Sequence, residues 1–252
     1  MPTYKLTIEY DGAAYAGWQR QTKQATIQAS LEFALRKLTQ EPIATVAAGR
    51  TDSGVHALGQ VVSFRSERSL ASTDWTRGLN ALLPKDIGVR STELVSNEFH
   101  ARYHAMSKVY EYRIVNERHR PVLDRGRVWH IPKPLDLAAM REAATSLVGT
   151  HNCLSFQGSP TDNTNPICDI RCLEVKNVEI EIHLRIEADR FLKQMVRAIV
   201  GTLVEVGLHK RKSEDVEKIL ALQDRRAAGK TAPAHGLYLV EVFYPGSVNR
   251  DP

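Results

Sequence analysis

The eleven residues from Val178 to Ala188 constrain the fold more than any other stretch. Val178, Ile180, Ile182, Leu184 and Ile186 alternate with Glu179, Glu181, His183, Arg185 and Glu187. Side chains along a strand point alternately to opposite faces, so this pattern predicts one covered face and one wet face. A sheet with one wet face is typically antiparallel and backed by helices on its other side. The expected class is therefore α+β.

Other elements repeat the theme. Tyr4, Leu6, Ile8 and Tyr10 alternate with Lys5, Thr7 and Glu9 and predict a half-buried strand ending at Asp11-Gly12. Ile27, Leu31, Ala34, Leu35 and Leu38 follow helical spacing up to Pro42. Strands are expected over 60–65 and 87–94, with a short helix over 74–83 between them. In the second half Tyr110, Tyr112 and Ile114 share one strand face. Asp136 is placed to cap a helix stopped by Gly149, and 152–166, rich in Ser, Thr, Asn and Pro, predicts an exposed loop. Asp189 is placed to cap a further helix reaching about Val206. A helix over 213–223 and a last strand over 237–244 complete the chain. Strand, helix and two strands recur at similar scale, which suggests two related lobes, residues 1–105 and residues 106–252.

Charge narrows the partners. Lys and Arg exceed Asp and Glu by 34 to 29, a mild excess, but its distribution is uneven. From His100 to His130 seven basic residues face three acidic ones and are interleaved with Tyr103, Tyr110, Tyr112 and Trp129; from Arg190 to Lys230 the ratio is ten to five. Basic residues mixed with aromatics suit phosphate contact and base stacking, although a solvated basic face has the same composition. No run approaches the roughly 20 apolar residues of a membrane span, and the N-terminus enters a strand directly with no signal-peptide pattern. A cytoplasmic, membrane-free protein is expected. Cys153, Cys168 and Cys172 are odd in number and lack the paired spacing of a zinc knuckle, so neither a disulfide framework nor a metal site is expected.

One loop carries chemistry. Gly49-Arg50-Thr51-Asp52-Ser53-Gly54-Val55-His56 holds a single carboxylate between glycines, with hydroxyls beside it and an arginine two residues away. Glycine permits turns and close ligand approach, and a carboxylate held there can act as acid, base or nucleophile. Asp-Ser-Gly is equally ordinary turn chemistry. The second feature is Arg197, in the middle of a helix apolar almost all round (Leu192, Met195, Val196, Ala198, Ile199, Val200, Leu203). A helix of that kind is buried, and a buried guanidinium needs a partner unless it snorkels to the surface. No acidic residue lies three or four positions away, which makes Asp52 an attractive candidate.

Six blocks of residues together resemble the tRNA pseudouridine synthase A family. They are Tyr10-Asp11-Gly12 with Gly17-Trp18-Gln19-Arg20-Gln21, the Asp52 loop, Phe99-His100-Ala101-Arg102, Lys108-Val109-Tyr110-Glu111-Tyr112, Phe191 through Arg197, and Thr231-Ala232-Pro233-Ala234 with Gly236-Leu237-Tyr238-Leu239. The blocks are collinear and span nearly the whole chain. The resemblance implies an isomerase that makes pseudouridine at positions 38, 39 and 40 of the tRNA anticodon stem-loop, without metal or cofactor. It also implies two lobes sharing a long, mainly antiparallel sheet, helices on one side, a central basic cleft, and a homodimer in which one tRNA contacts both subunits. By the same resemblance Asp52 matches the catalytic aspartate and Arg197 its ion-pair partner. Tyr110 matches the tyrosine that packs on the target base, Arg50 a residue that helps eject the nucleotide, and Leu237 an apolar pocket wall. Ser53 and Ala13 stand where the family more often has Ala and Thr.

Two other functions fit parts of the sequence. An aspartic peptidase would use Asp52-Ser53-Gly54 but needs two carboxylates sharing a proton, and no second such triplet is present. A non-catalytic RNA-binding protein would use the basic and aromatic residues and leave Asp52 and Arg197 without a purpose.

Overall fold

The computed structural model describes residues 1–160 and 164–246. In chain order the first elements are β1 (Thr3–Tyr10), α1 (Ile27–Thr39), β2 (Thr45–Ala47), β3 (His56–Arg65), α2 (Ser72–Leu82) and β4 (Ile87–Val95). There follow β5 (Ser107–Val115), β6 (Trp129–His130), α3 (Leu137–Thr145), β7 (Gly149–Asn152), β8 (Ile167–Val178) and β9 (Glu181–Ala188). The last are α4 (Met195–Gly207), α5 (Asp215–Leu222) and β10 (Leu237–Phe243). Strands and helices are thus both abundant, as the α+β pattern predicts.

The chain forms two compact units. One holds Met1–Met106 and the segment from Tyr238 onward; the other holds Ser107–Leu237. The sequence assigned everything after residue 105 to one lobe. The tail of that span instead returns to the first unit, where β10 lies parallel to β3 with Tyr238 opposite His56 and Leu239 opposite Ala57. Nothing local in β10 announces this partner, because strand pairing is set by distant residues.

In the first unit β1 is flanked antiparallel by β3 and β4, and β2 pairs with the far end of β3. The strand predicted over 60–65 begins four residues earlier, directly after the Asp52 loop. Helix α1 is capped by Thr26, whose side chain accepts from the Ala29 N–H, and ends where Gln40 turns into the left-handed region. Thirteen residues are marginal as a helix in isolation. Burial supplies what propensity lacks: Ile27, Leu31 and Leu35 are fully buried, each contributing about 1.5–3 kcal/mol. Trp75 of α2 is fully buried too and packs its ring 5.1 Å from those of Tyr4 and Phe64.

In the second unit β9 lies antiparallel between β5 and β8, and β7 extends the sheet beyond β8. The stretch 178–188 is a correction. It is not one strand: Glu179 takes φ 54 and the chain reverses between β8 and β9. Val178 and Ile180 are exposed, whereas Ile182, Leu184, Ile186 and Ala188 are buried. The alternation ran through a hairpin turn because its apolar residues happened to keep step across it.

Helix starts and stops also moved. Asp136 caps α3 by accepting from the Ala139 N–H, as predicted, but α3 ends at Thr145 and Gly149 opens β7. Asp189 does not cap α4. Its carboxylate accepts from the N–H groups of Asp169 and Arg190, and α4 begins only at Met195. The expected loop 152–166 contains a turn of 3₁₀ helix, Leu154–Phe156, with Ser155 and Phe156 buried and Ser155 Oγ donating to Ile219 O of α5 at 2.5 Å. Residues 161–163 of that stretch lie outside the described residues. Helix α4 is apolar on nearly every face and buried along its length. No helix among the described residues is long and apolar enough to cross a membrane.

Candidate active site

The Asp52 loop is built by close backbone packing. Gly12 and Gly17 lie so near it that side chains are excluded there: a Cβ on Gly12 would fall 2.0 Å from Val55 O, and one on Gly17 2.6 Å from Thr51 O and 3.0 Å from the Asp52 carbonyl carbon. Gly17 is itself at φ +92, a region L side chains rarely adopt. Hydrogen bonds stitch the two segments together. Trp18 N–H donates to Thr51 O, Gly54 N–H to Tyr15 O, and Ser53 Oγ to Tyr15 O. The turn itself closes when Val55 N–H donates to Asp52 O. Asp-Ser-Gly is therefore a turn as well as a candidate site, and the two functions share one geometry. Asp52 is half-buried, whereas Arg50 is exposed beside it.

Buried polar groups surround the loop on its inner side. Gln60 of β3, fully buried, donates from Nε2 to Gly49 O at 2.8 Å and to Tyr10 Oη at 3.4 Å. Tyr10 Oη and Thr51 Oγ1 are hydrogen-bonded at 2.8 Å. Burial raises the Tyr10 hydroxyl to about 12, so it stays protonated at neutral pH. His56 is buried, stacks on Tyr238 with ring centroids 4.9 Å apart, and accepts from Gly12 N–H at Nδ1. The same Nδ1 is 3.1 Å from Asp11 Oδ1. Tyr10 and His56 stand in the motif blocks with no role assigned from sequence, and Gln60 stands unremarked in the predicted strand over 60–65. A glutamine between Gly59 and the apolar Val61 and Val62 was the available signal, since a buried amide must have a reason to be there.

The second unit holds the other predicted residues. Arg197 of α4 is half-buried, and its Nε donates to Ala232 O at 2.8 Å while Ala232 N–H returns a bond to Arg197 O. The segment carrying Ala232 runs against the helix at a small residue: a Cβ on Gly201 would meet Lys230 O at 1.7 Å. Tyr110 and Tyr112, which the pattern could not separate, differ sharply. Tyr112 is fully buried, its hydroxyl donates to Pro233 O at 2.8 Å, and its ring rests against the Cβ position of Gly236. Burial pushes the Tyr112 hydroxyl well above the usual tyrosine range, with the Arg197 charge pulling weakly the other way. Tyr112 is thus a structural tie. Tyr110 keeps 6% exposure and packs edge-on against Phe191 at 4.9 Å; Phe191 is a contact that sequence alone did not single out. Leu237 is buried at the start of β10.

The cysteines are all free thiols, Cys153 and Cys168 buried and Cys172 half-buried. The neighbouring Cys153 thiol and burial push the Cys168 thiol well above its usual range. Among the described residues no group of three or more His, Cys, Asp or Glu is arranged to hold a metal ion.

Comparison with known proteins bears on the whole chain. The model of the tRNA pseudouridine synthase family matches residues 6–104 and 143–245. A tRNA pseudouridine synthase A of Bacillus pumilus is 46% identical over 95% of this chain and 98% of its own length. The protein of the same name from Caulobacter sp. (strain K31) is 43% identical over 98% of this chain and 99% of its own, and that from Acetivibrio thermocellus 40% identical over 97% and 100%. Among solved structures, a chain of a Cbf5–Nop10–Gar1 complex aligns over 79% of this chain and 54% of its own, at 11% identity and a TM-score of 0.33, too weak a likeness to carry an argument. With both units matched and relatives aligned from end to end, the chain belongs to the tRNA pseudouridine synthase family.

Proposed function

We propose that this chain isomerises uridine to pseudouridine at positions 38, 39 and 40 of the tRNA anticodon stem-loop, with Asp52 as the catalytic carboxylate. The observation that carries the proposal is the Asp52 loop itself, in a family that makes pseudouridine. It offers one half-buried carboxylate on a turn into which neighbouring glycines bring backbone rather than side chains.

The reaction breaks the N1–C1′ glycosidic bond, rotates the uracil, and joins C5 to C1′. N1 ends with a proton and C5 has lost one, so the change is an isomerisation and balances without a redox partner. A carboxylate can begin it by attacking C1′, by attacking the base, or by taking a proton from C2′. In each case the base must leave the RNA stack, and the enzyme repays part of the unstacking with its own contacts. Tyr110 is proposed to pack on the extruded base, a contact worth about 1–3 kcal/mol. Leu237 is proposed as an apolar wall of the pocket and Arg50 as a contact that helps extrude the nucleotide. Arg197 is proposed as the ion-pair partner of Asp52; the resemblance and the charge logic of an apolar helix support it. The enzyme is further proposed to act in the cytoplasm as a homodimer, one tRNA touching both subunits.

A carbodiimide-based pseudouridine assay on a uridine-containing tRNA transcript tests the assignment. Wild-type protein is expected to form pseudouridine, and Asp52→Asn to bind the tRNA without turnover. Turnover by Asp52→Asn at the wild-type rate would remove Asp52 from the chemistry. Binding without turnover by the wild type would favour a non-catalytic RNA-binding protein.

A further inference from the structure

Asp52 is gripped from one side by a chain of buried groups that no step of the reaction consumes. On β3, Gln60 donates to the carbonyl of Gly49, three residues before Asp52. Its second contact is Tyr10 Oη, which is hydrogen-bonded to the hydroxyl of Thr51, one residue before Asp52. Gln60 Nε2 can only donate, which leaves the Tyr10 proton to point at Thr51 Oγ1. The chain thus has a direction: Gln60 to Tyr10 to Thr51.

All three side chains are nearly sealed from water, at 0%, 4% and 6% exposure. Tyr10 and Gln60 also sit on paired strands, β1 and β3, whose register places Ile8 opposite Gln60 and Tyr10 opposite Ala57. The loop is therefore referenced to two paired strands at the centre of the first unit's sheet. Burying an amide and two hydroxyls does little for net stability even when they are paired, and Gln60 Oε1 is buried with no hydrogen-bond partner among the described residues. A fully apolar core at these positions would serve folding as well. What the polar chain adds is a fixed place for Gly49 and Thr51, and through them for the Asp52 backbone.

We infer that Gln60, Tyr10 and Thr51 are positioning residues for the catalytic carboxylate, acting on the chemical step rather than on tRNA binding. Their role rests on Asp52 being the catalytic residue. A reacting group displaced by about 1 Å can lose about a hundredfold in rate, so a loop loosened at one of its two anchor points is expected to lose about tenfold.

The test compares Tyr10→Phe, Gln60→Met and Thr51→Val, which keep volume and remove the polar links, with Thr51→Ser, which keeps the hydroxyl. Tyr4→Phe serves as control, because Tyr4 is a buried β1 tyrosine whose hydroxyl donates to Arg68 O outside the loop. Single-turnover rates and tRNA dissociation constants are measured well below each variant's melting temperature. The three apolar variants are expected to lose about tenfold in rate with binding within twofold of wild type. Thr51→Ser and Tyr4→Phe are expected to keep the wild-type rate, and Tyr10→Phe with Gln60→Met combined to be slower than either single variant, since the first frees Thr51 and the second frees Gly49. Wild-type rates in folded Tyr10→Phe and Thr51→Val would overturn the inference, as would a Tyr4→Phe that is equally slow. Should Gln60→Met fail to fold, those two outcomes still decide it. An active Asp52→Asn in the same series would instead overturn the choice of catalytic residue.

Discussion

Replacing Gly17 by alanine gives the sharpest test of how the first unit holds its carboxylate. The new Cβ would stand 2.6 Å from Thr51 O and 3.0 Å from both the Asp52 carbonyl carbon and Ser53 N. Restoring ordinary contact requires the loop to retreat by about 0.8 Å, because backbone on both sides has no rotamer to change. Overpacking of this kind costs about 1–3 kcal/mol. An L residue held at φ +92 adds roughly 1–2 kcal/mol of backbone strain. The same retreat displaces the carboxylate, and at about a hundredfold per ångström the single-turnover rate should fall at least about thirtyfold. Gly126→Ala is the matched control: its φ is +77, yet nothing lies within 4 Å of its Cβ position, so it carries the strain without the clash. Urea unfolding followed by circular dichroism reads the stability, and the carbodiimide assay reads the rate. If the two alanine variants unfolded alike and turned over alike, close backbone approach would not be what sets Asp52 in place.

Arg197→Met should abolish most activity and lower stability, since it removes both the charge and the bond to Ala232 O; a stable and fully active variant would exclude the ion pair with Asp52. Tyr112→Phe should cost about 1–2 kcal/mol in a denaturant melt by leaving Pro233 O without its donor. Affinity for tRNA should drop at least about tenfold between about 50 and about 200 mM salt if the basic stretches meet phosphates, and a flat response in a filter-binding titration would leave them as solvated surface. At high pH the sign follows from the raised Tyr10 hydroxyl. Unfolded chains lose that proton above pH 10.0 and the folded chain only near 12, so stability is whole below the first value and is lost as pH rises through the window. In Tyr10→Phe the decline over that window should be shallower, by about 1.4 kcal/mol per pH unit.

Local chemistry was the legible part of this protein. The inward face of β1, the apolar face of α1, the cap at Asp136 and the glycine-flanked Asp52 loop could all be read from neighbours in sequence, because each depends on residues within a few positions. Errors arose where local signals had more than one solution. The alternation of 178–188 continued through a turn whose positive φ falls on Glu179, a residue type that does not advertise it. Asp189 looked like a helix cap, but its carboxylate is taken by the Asp169 and Arg190 amides, and the helix waits until Met195. Tyr110 and Tyr112 shared a face in sequence, where resemblance and not periodicity told them apart; in the structure Tyr112 is tied to Pro233 O and Tyr110 packs on Phe191.

What the sequence determined by itself was the inventory: which segments could bury a face, which carboxylate sat in a loop open to close approach, and which arginine lay in an apolar helix. Side-chain type and short-range spacing suffice for that, since they fix propensity and periodicity. Tertiary structure decided the partners. It sent β10 back beside β3, drew residues 12–18 so tightly onto the Asp52 loop that only glycine fits at positions 12 and 17, and linked Gln60 to Tyr10 and Thr51. Those arrangements depend on residues tens of positions apart competing for the same buried space, and no one-dimensional pattern records which of them wins.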